Sequence, residues 1–187
     1  DGVVTPIVHK SEVALRGEHN LENLLAAFCA VWGMVDVAVM AQVARSFQGV
    51  EHRIEPVRTL NGVQWFNDSI ASSPTRVIAG LRAFNQKLIL LAGGSNKRVS
   101  FAPLAPELLA HVKTLVLISN PAEKAAAAAR GESDYQTSAE QIEAAVRAEP
   151  GFAESGMNIL HAESMQQAVR LAYEAAQPGD IVSLSPA

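Results

Sequence analysis

The sequence predicts an α/β fold: a mostly parallel sheet with helices on both faces, preceded by a β-hairpin and by a short helical segment. Three observations carry this. From residue 73 onward strand-like and helix-like patterns alternate, the order that builds a parallel sheet. The strands in that alternation, such as "KLILLAG" and "KTLVLIS", are continuously apolar, as strands buried on both faces are. Ahead of them, "IEPVRTL" and "VQWFND" flank Asn61-Gly62, the strongest short hairpin signal in a sequence.

Taken in order, residues 3–15 hold two short β-like runs, "VVTPIV" and "EVAL", with Pro6 arguing for an edge position. Helices follow at about 20–33 and 36–46; Leu21, Leu24, Leu25, Phe28 and Val31 share a helical spacing, and Gly33 is placed to end the first. The polar break "SFQGVEHR" sets a boundary that divides the chain into residues 1–50 and 51–187. After the hairpin come a helix "SPTRVIAGLRAF", the strand "KLILLAG", a helix near 103–111, the strand "KTLVLIS" and a helix "AEKAAAAAR" whose alanines suit close packing on the sheet. A strand "DYQT", a helix "AEQIEAAVRA", a strand "MNILHA", a helix "MQQAVRLAYEAA" and a strand "DIVSLS" complete the series.

Composition narrows the function classes. The 187 residues are 49% apolar, ample for a core, and carry Lys+Arg 15 against Asp+Glu 19 for a net charge of -4 with no basic block. Electrostatic binding to nucleic acid is therefore not suggested. The apolar stretch around 24–44 contains Asp36 and Gln42 and is split by Gly33, so it reads as two helices rather than a membrane span. The opening "DGVVTPIVHK" has an acid and a proline where a secretory signal needs a basic head and an apolar run. The single cysteine, Cys29, forms no internal disulfide; it reads as a buried, inert thiol and fits a cytoplasmic location.

In open α/β sheets ligands sit outside the carboxyl ends of the strands. Those ends deliver Asn67-Asp68-Ser69, Gly93-Gly94-Ser95-Asn96-Lys97, Ser119-Asn120 and residues 183–187. The two glycines of "AGGSNKR" let the backbone approach something closely, and Lys97 is either a solvated turn residue or a point charge for a carboxylate or phosphate. In "RGEHNLENLLAAF", Asn20 reads as an N-cap, while Asn23, one turn into an apolar helix, has the donors and acceptors to read a base edge. Arg53, at the boundary, is a surface residue or a ligand contact. The five histidines show no metal-binding spacing, the pattern G-x-x-x-x-G-K-[ST] is absent, and there is no G-x-S-x-G elbow.

The ordered set "GEHNLEN", "GVEHRIEPV", "GVQWFNDSIASSP", "AGGSNK" and "GDIVSLSPA" resembles the Mur ligase family, on its D-glutamate-adding branch, over nearly the whole chain. The N-D-S turn argues against the folylpolyglutamate-forming branch. The resemblance implies a Rossmann-like C-terminal domain over 51–187, truncated at its end, and the end of an ATP-binding central domain over 1–50. It implies ATP binding by Asn20, Asn23, Arg53 and Asp68, with Asn23 at the adenine, Arg53 near the phosphates and Asp68 toward the ribose. It further implies that Lys97 holds a carboxylate of D-glutamate and that Ser72 lies near that amino acid. Ile70 falls where the family commonly has lysine and cannot make the charge-assisted contact expected there, so either another cation substitutes or that part of substrate binding differs. The implied reaction is ATP-dependent amide-bond formation through an acyl phosphate on UDP-N-acetylmuramoyl-L-alanine, with magnesium held by residues upstream of residue 1. The implied protein is a cytoplasmic monomer in cell-wall synthesis, of which this chain alone is an inactive piece; the rival is a non-catalytic nucleotide-binding module.

Overall fold

The computed structural model describes residue 2, residues 4–94 and residues 99–187. The chain divides into two compact units, Asp1–Val50 and Glu51–Ala187.

In the first unit, helix α1 (Glu18–Ala30) and helix α2 (Val37–Ser46) pack Leu24, Phe28, Met40 and Ala44 together. The expected strands "VVTPIV" and "EVAL" are not strands among the described residues; one short 3-10 turn, Lys10–Glu12, interrupts irregular chain. With no strand beside them to complete a ladder, Ile7, Val8, Val13 and Leu15 instead pack on the helix pair, and the Ala14 N–H donates to the Ala44 carbonyl at 3.0 Å. Asp36 caps α2 through its side chain. The N-cap of α1 is Gly17, at φ 89°, and not Asn20. Helix α1 starts earlier than its apolar pattern does, which leaves Asn20 inside the first turn. Cys29 is exposed, contrary to expectation, because the buried stripe runs through Leu24 and Phe28, and a residue one step on is turned by about 100° from it.

The second unit is built on one six-stranded sheet. Strand β1 (Glu55–Leu60) pairs antiparallel with β2 (Val63–Asn67) across Asn61 and Gly62, whose φ values of 51° and 79° are the two left-handed residues that a type I′ turn needs. Strands β3 (Leu88–Ala92), β4 (Val112–Ile118), β5 (Asn158–Ala162) and β6 (Ile181–Leu184) complete the order β1-β2-β6-β3-β4-β5, parallel except for β1. The period of two along a strand divides the core. Leu88, Leu90 and Ala92 face one cluster, shared with Val77 and Leu81 of α3 (Pro74–Leu81), Leu108 of α4 (Ala105–His111) and Ile142 and Val146 of α6 (Ser138–Ala148). Ile89 and Leu91 face the other, shared with Ala168 and Ala172 of α7 (Met165–Ala175).

Handedness explains this division. The crossovers from β2 to β3, β3 to β4 and β4 to β5 all step the same way and put α3, α4 and α6 on one face. The crossover from β5 back to β6 steps the other way, so a right-handed connection puts α7 on the opposite face. The predicted strand "DYQT" is instead a turn whose last residue, Thr137, caps α6 in a capping box with Glu140. Helix α5 (Pro121–Ala129) forms over the alanine run, but only Ala127 of it is buried, so the expected close packing of the whole run on the sheet does not occur.

Candidate functional site at the strand ends

The carboxyl ends of β2, β6 and β3 are adjacent and are stitched together beyond the sheet. The Asp68 N–H donates to Leu184 at 2.8 Å, Ser185 N–H to Leu91 at 3.0 Å, Gly93 N–H to Pro186 at 2.8 Å and Ala187 N–H to Ala71 at 3.0 Å. Gly93 has φ 111°, and a Cβ there would lie 2.4 Å from the Ile118 carbonyl oxygen. The close approach that its sequence position suggested is thus used inside the sheet, against the end of β4. Gly94 has no such constraint; its nearest neighbour is the Pro186 side chain. Lys97 lies outside the described residues.

The Asn67-Asp68-Ser69 turn holds residues 52–54 in place. Asn67 Nδ2 lies 2.8 Å from His52 Nδ1, the Ile70 N–H donates to the His52 carbonyl at 3.2 Å, and the Ile54 N–H donates to Asp68 Oδ1 at 3.2 Å. Glu55 adds a bond from the His52 N–H at 2.8 Å. These bonds maintain an unusual backbone, because His52 and Ile54 have φ of 66° and 46°. Non-glycine residues there cost on the order of 1–3 kcal/mol each, and a β-branched isoleucine is among the least suited. Between them stands Arg53, half-buried.

Asp68 is the centre of this arrangement. It is 4% exposed, its Oδ2 accepts from the Ser185 hydroxyl at 3.2 Å, and its Oδ1 accepts from Ile54. Burial pushes its carboxyl pKa up from the ordinary aspartate value; the two hydrogen bonds and the nearby Arg53 charge pull the other way without cancelling the desolvation. Gly80 makes the space: a Cβ on it would sit 2.7 Å from Asp68 Oδ2. An isolated glycine inside a helical pattern is a sign of such close approach, and Gly80 carried that sign in the sequence. Ser185 carried none, since a serine after a strand is ordinary loop chemistry.

The remaining expected residues are placed as follows. Ser72 is half-buried in the connection between β2 and α3, and Ile70 is 41% exposed on the same connection. In the first unit, Asn20 is buried with its Nδ2 donating to the Arg16 carbonyl at 2.7 Å, and the exposed Asn23 donates to Asn20 Oδ1 at 3.4 Å. Through these bonds Asn20 orients Asn23 and closes the start of α1. Among the described residues no group of three or more His, Cys, Asp or Glu converges to hold a metal. A groove of about 650 Å³ lies between α7 and the hairpin, lined by Val57, Trp65, Met165, Val169 and Tyr173 among others. Its lining is mostly apolar, with Arg58, Asn67, Gln166 and Arg170 also bordering it.

A mostly parallel open sheet with strained, polar loops gathered at its carboxyl edge is the arrangement in which α/β proteins commonly hold ligands. The chain belongs to the Mur ligase family: residues 52–187 match its glutamate ligase domain. It is 45% identical over 181 residues to the UDP-N-acetylmuramoylalanine–D-glutamate ligase of Clostridium beijerinckii, covering 97% of this chain and 36% of that protein. The enzyme of the same name from Acetivibrio thermocellus is 45% identical over 183 residues, 98% of this chain and 36% of its own length. The chain thus spans little more than a third of these relatives. Solved structures share the fold at low identity. The folylpolyglutamate synthase of Mycobacterium tuberculosis complexed with ADP and AMPPCP matches with a TM-score of 0.60 and 18% identity, over 92% of this chain and 38% of that one. The MurF ligase of Thermotoga maritima in complex with ADP matches with a TM-score of 0.59 and 16% identity, over 91% and 35%.

Proposed function

We propose that this chain is the C-terminal part of an ATP-dependent ligase that joins D-glutamate to UDP-N-acetylmuramoyl-L-alanine in peptidoglycan synthesis. The observation that carries this is the 45% identity to relatives of that name, sustained over 97% of the chain and so spanning the turn after β2 and the loop after β3. In this reading the substrate carboxylate attacks the terminal phosphorus of ATP, giving an acyl phosphate and ADP. The D-glutamate amine then attacks the acyl carbon, loses a proton and expels phosphate. Positioning and electrostatic clamping dominate phosphoryl transfer of this kind. Asn23 and Asn20 serve the adenine side, Arg53 the phosphates and Asp68 the ribose side, while Lys97 pairs with a D-glutamate carboxylate and Ser72 lies near that amino acid. Magnesium is held by residues upstream of residue 1, and the whole protein works as a monomer in the cytoplasm.

Steady-state kinetics of the full-length ligase, with each substrate varied in turn, test these roles. Lys97→Ala lowers kcat/KM for D-glutamate and Asp68→Asn lowers it for ATP, each by roughly tenfold to a few hundredfold, the scale of a charge-assisted bond. An unchanged D-glutamate dependence in Lys97→Ala makes Lys97 a solvated turn residue. The 187-residue chain alone, which contains no phosphate-cradling loop, releases no phosphate from ATP.

A further inference from the structure

We infer that Ser185, just beyond β6, is a positioning residue for Arg53: through Asp68 it holds the backbone of residues 52–54 that presents the guanidinium at the strand ends. The inference rests on the proposal that Arg53 contacts the ATP phosphates. Three features of the structure carry it. The path is continuous and short, with the Ser185 hydroxyl donating to Asp68 Oδ2 at 3.2 Å and the Ile54 N–H donating to Asp68 Oδ1 at 3.2 Å. Both carboxylate oxygens are thus engaged, one on each side, in a site where Ser185 is 3% and Asp68 4% exposed. A carboxylate with one oxygen unpaired in such a place would turn toward any other donor or toward solvent, and the Ile54 bond would turn with it.

The second feature is what the carboxylate holds. His52 and Ile54 are left-handed, so Arg53 is flanked by two residues whose relaxed conformations would swing its side chain elsewhere. Asn67 and Ile70 secure the His52 side of this turn, and Asp68 alone among the described bonds secures the Ile54 N–H. The third is the fit around Asp68. Helix α3 carries Gly80 where a side-chain carbon would stand 2.7 Å from Oδ2, so the oxygen that Ser185 meets has a place reserved for it. Ser185 itself is fixed by its N–H to the Leu91 carbonyl at 3.0 Å, which ties this support to β3, the centre of the sheet. Arg53 thereby meets its ligand already ordered, which lowers the cost of binding.

The test is a double-mutant cycle in the full-length ligase together with amide exchange in the 187-residue chain. Ser185→Ala should raise KM for ATP about tenfold, the scale of one hydrogen bond to a charged group, with kcat and the KM for D-glutamate little changed. Ser185→Cys keeps the shape but donates poorly and should match Ala; Ser185→Thr keeps the hydroxyl and should restore the wild-type value. In an Arg53→Ala background the Ser185→Ala effect should shrink severalfold, leaving only what reaches the ribose side through Asp68 itself. In the chain, the Ile54 amide should exchange at least about tenfold faster in Ser185→Cys than in wild type. Independent, multiplying effects of the two substitutions, a joint rise in both KM values, or unchanged Ile54 exchange would each overturn the positioning role while leaving the Arg53 contact standing. An Arg53→Ala variant with unaltered ATP dependence removes the contact itself and the inference with it.

Discussion

Asp68 shows how a single carboxyl can be read two ways. In the sequence it was a turn former at the end of a strand, or a nucleotide contact; in the structure it is a buried hub whose proton equilibrium has a measurable sign. Its folded pKa lies above the ordinary aspartate value of 3.8, so folding favours the protonated form. Its stabilising contribution is therefore complete below the unfolded pKa and is lost as pH rises through the raised value. Glu107 and Glu140 have the opposite sign, because Arg82 and Lys124 respectively hold their carboxyls below the usual range; their contribution is lost as pH falls through those lowered values. Urea unfolding of wild type and Asp68→Asn between about pH 3 and about pH 7 separates the two, since only the Asp68 part differs. The stability of Asp68→Asn relative to wild type should rise with pH across the Asp68 transition and then level off; parallel curves would mean that Asp68 does not titrate as its burial requires. Gly93→Ala gives a second residue-scale prediction. With φ at 111° and the Ile118 oxygen 2.4 Å from the new carbon, it should lose about 2 kcal/mol or more in the same assay. The turn chemistry of Asn67-Asp68-Ser69 was legible in the sequence, but its partners at residues 52–54 and Ser185 were not, because hydrogen bonds between distant segments leave no periodic trace.

At the scale of elements, the strands that are buried on both faces and the amphipathic helices were legible because periodicity is what burial imposes. The failures have physical causes of the same kind. "VVTPIV" and "EVAL" have the composition of strands but no ladder to join, and "DYQT" ends in a helix cap that its own T-x-x-E spacing announces. Thr137→Ala removes the cap's side-chain acceptor for the Glu140 N–H at 3.2 Å and should cost about 1 kcal/mol of stability. Thr137→Ser, which keeps the oxygen, should recover most of it. Equal losses from both substitutions would assign the effect to the buried methyl group instead of the cap.

For the whole molecule, the two units differ in what holds them. The first rests on a core of Leu24, Phe28, Met40 and Ala44, whereas the second has two extensive clusters on either face of a six-stranded sheet. Limited proteolysis should therefore cut first between residues 47 and 51, an exposed stretch apart from Gly49, and leave Glu51–Ala187 intact. Cutting within the sheet unit before that stretch would contradict the division. The proposed function is tested most directly by transplantation: the 187-residue chain replaces the matching 181 residues of the Clostridium beijerinckii ligase, and phosphate release is measured with ATP, magnesium, UDP-N-acetylmuramoyl-L-alanine and varied D-glutamate. The result predicted is release that depends on D-glutamate and is weakened by Lys97→Ala; a folded chimera that binds ATP yet shows no D-glutamate dependence would contradict it.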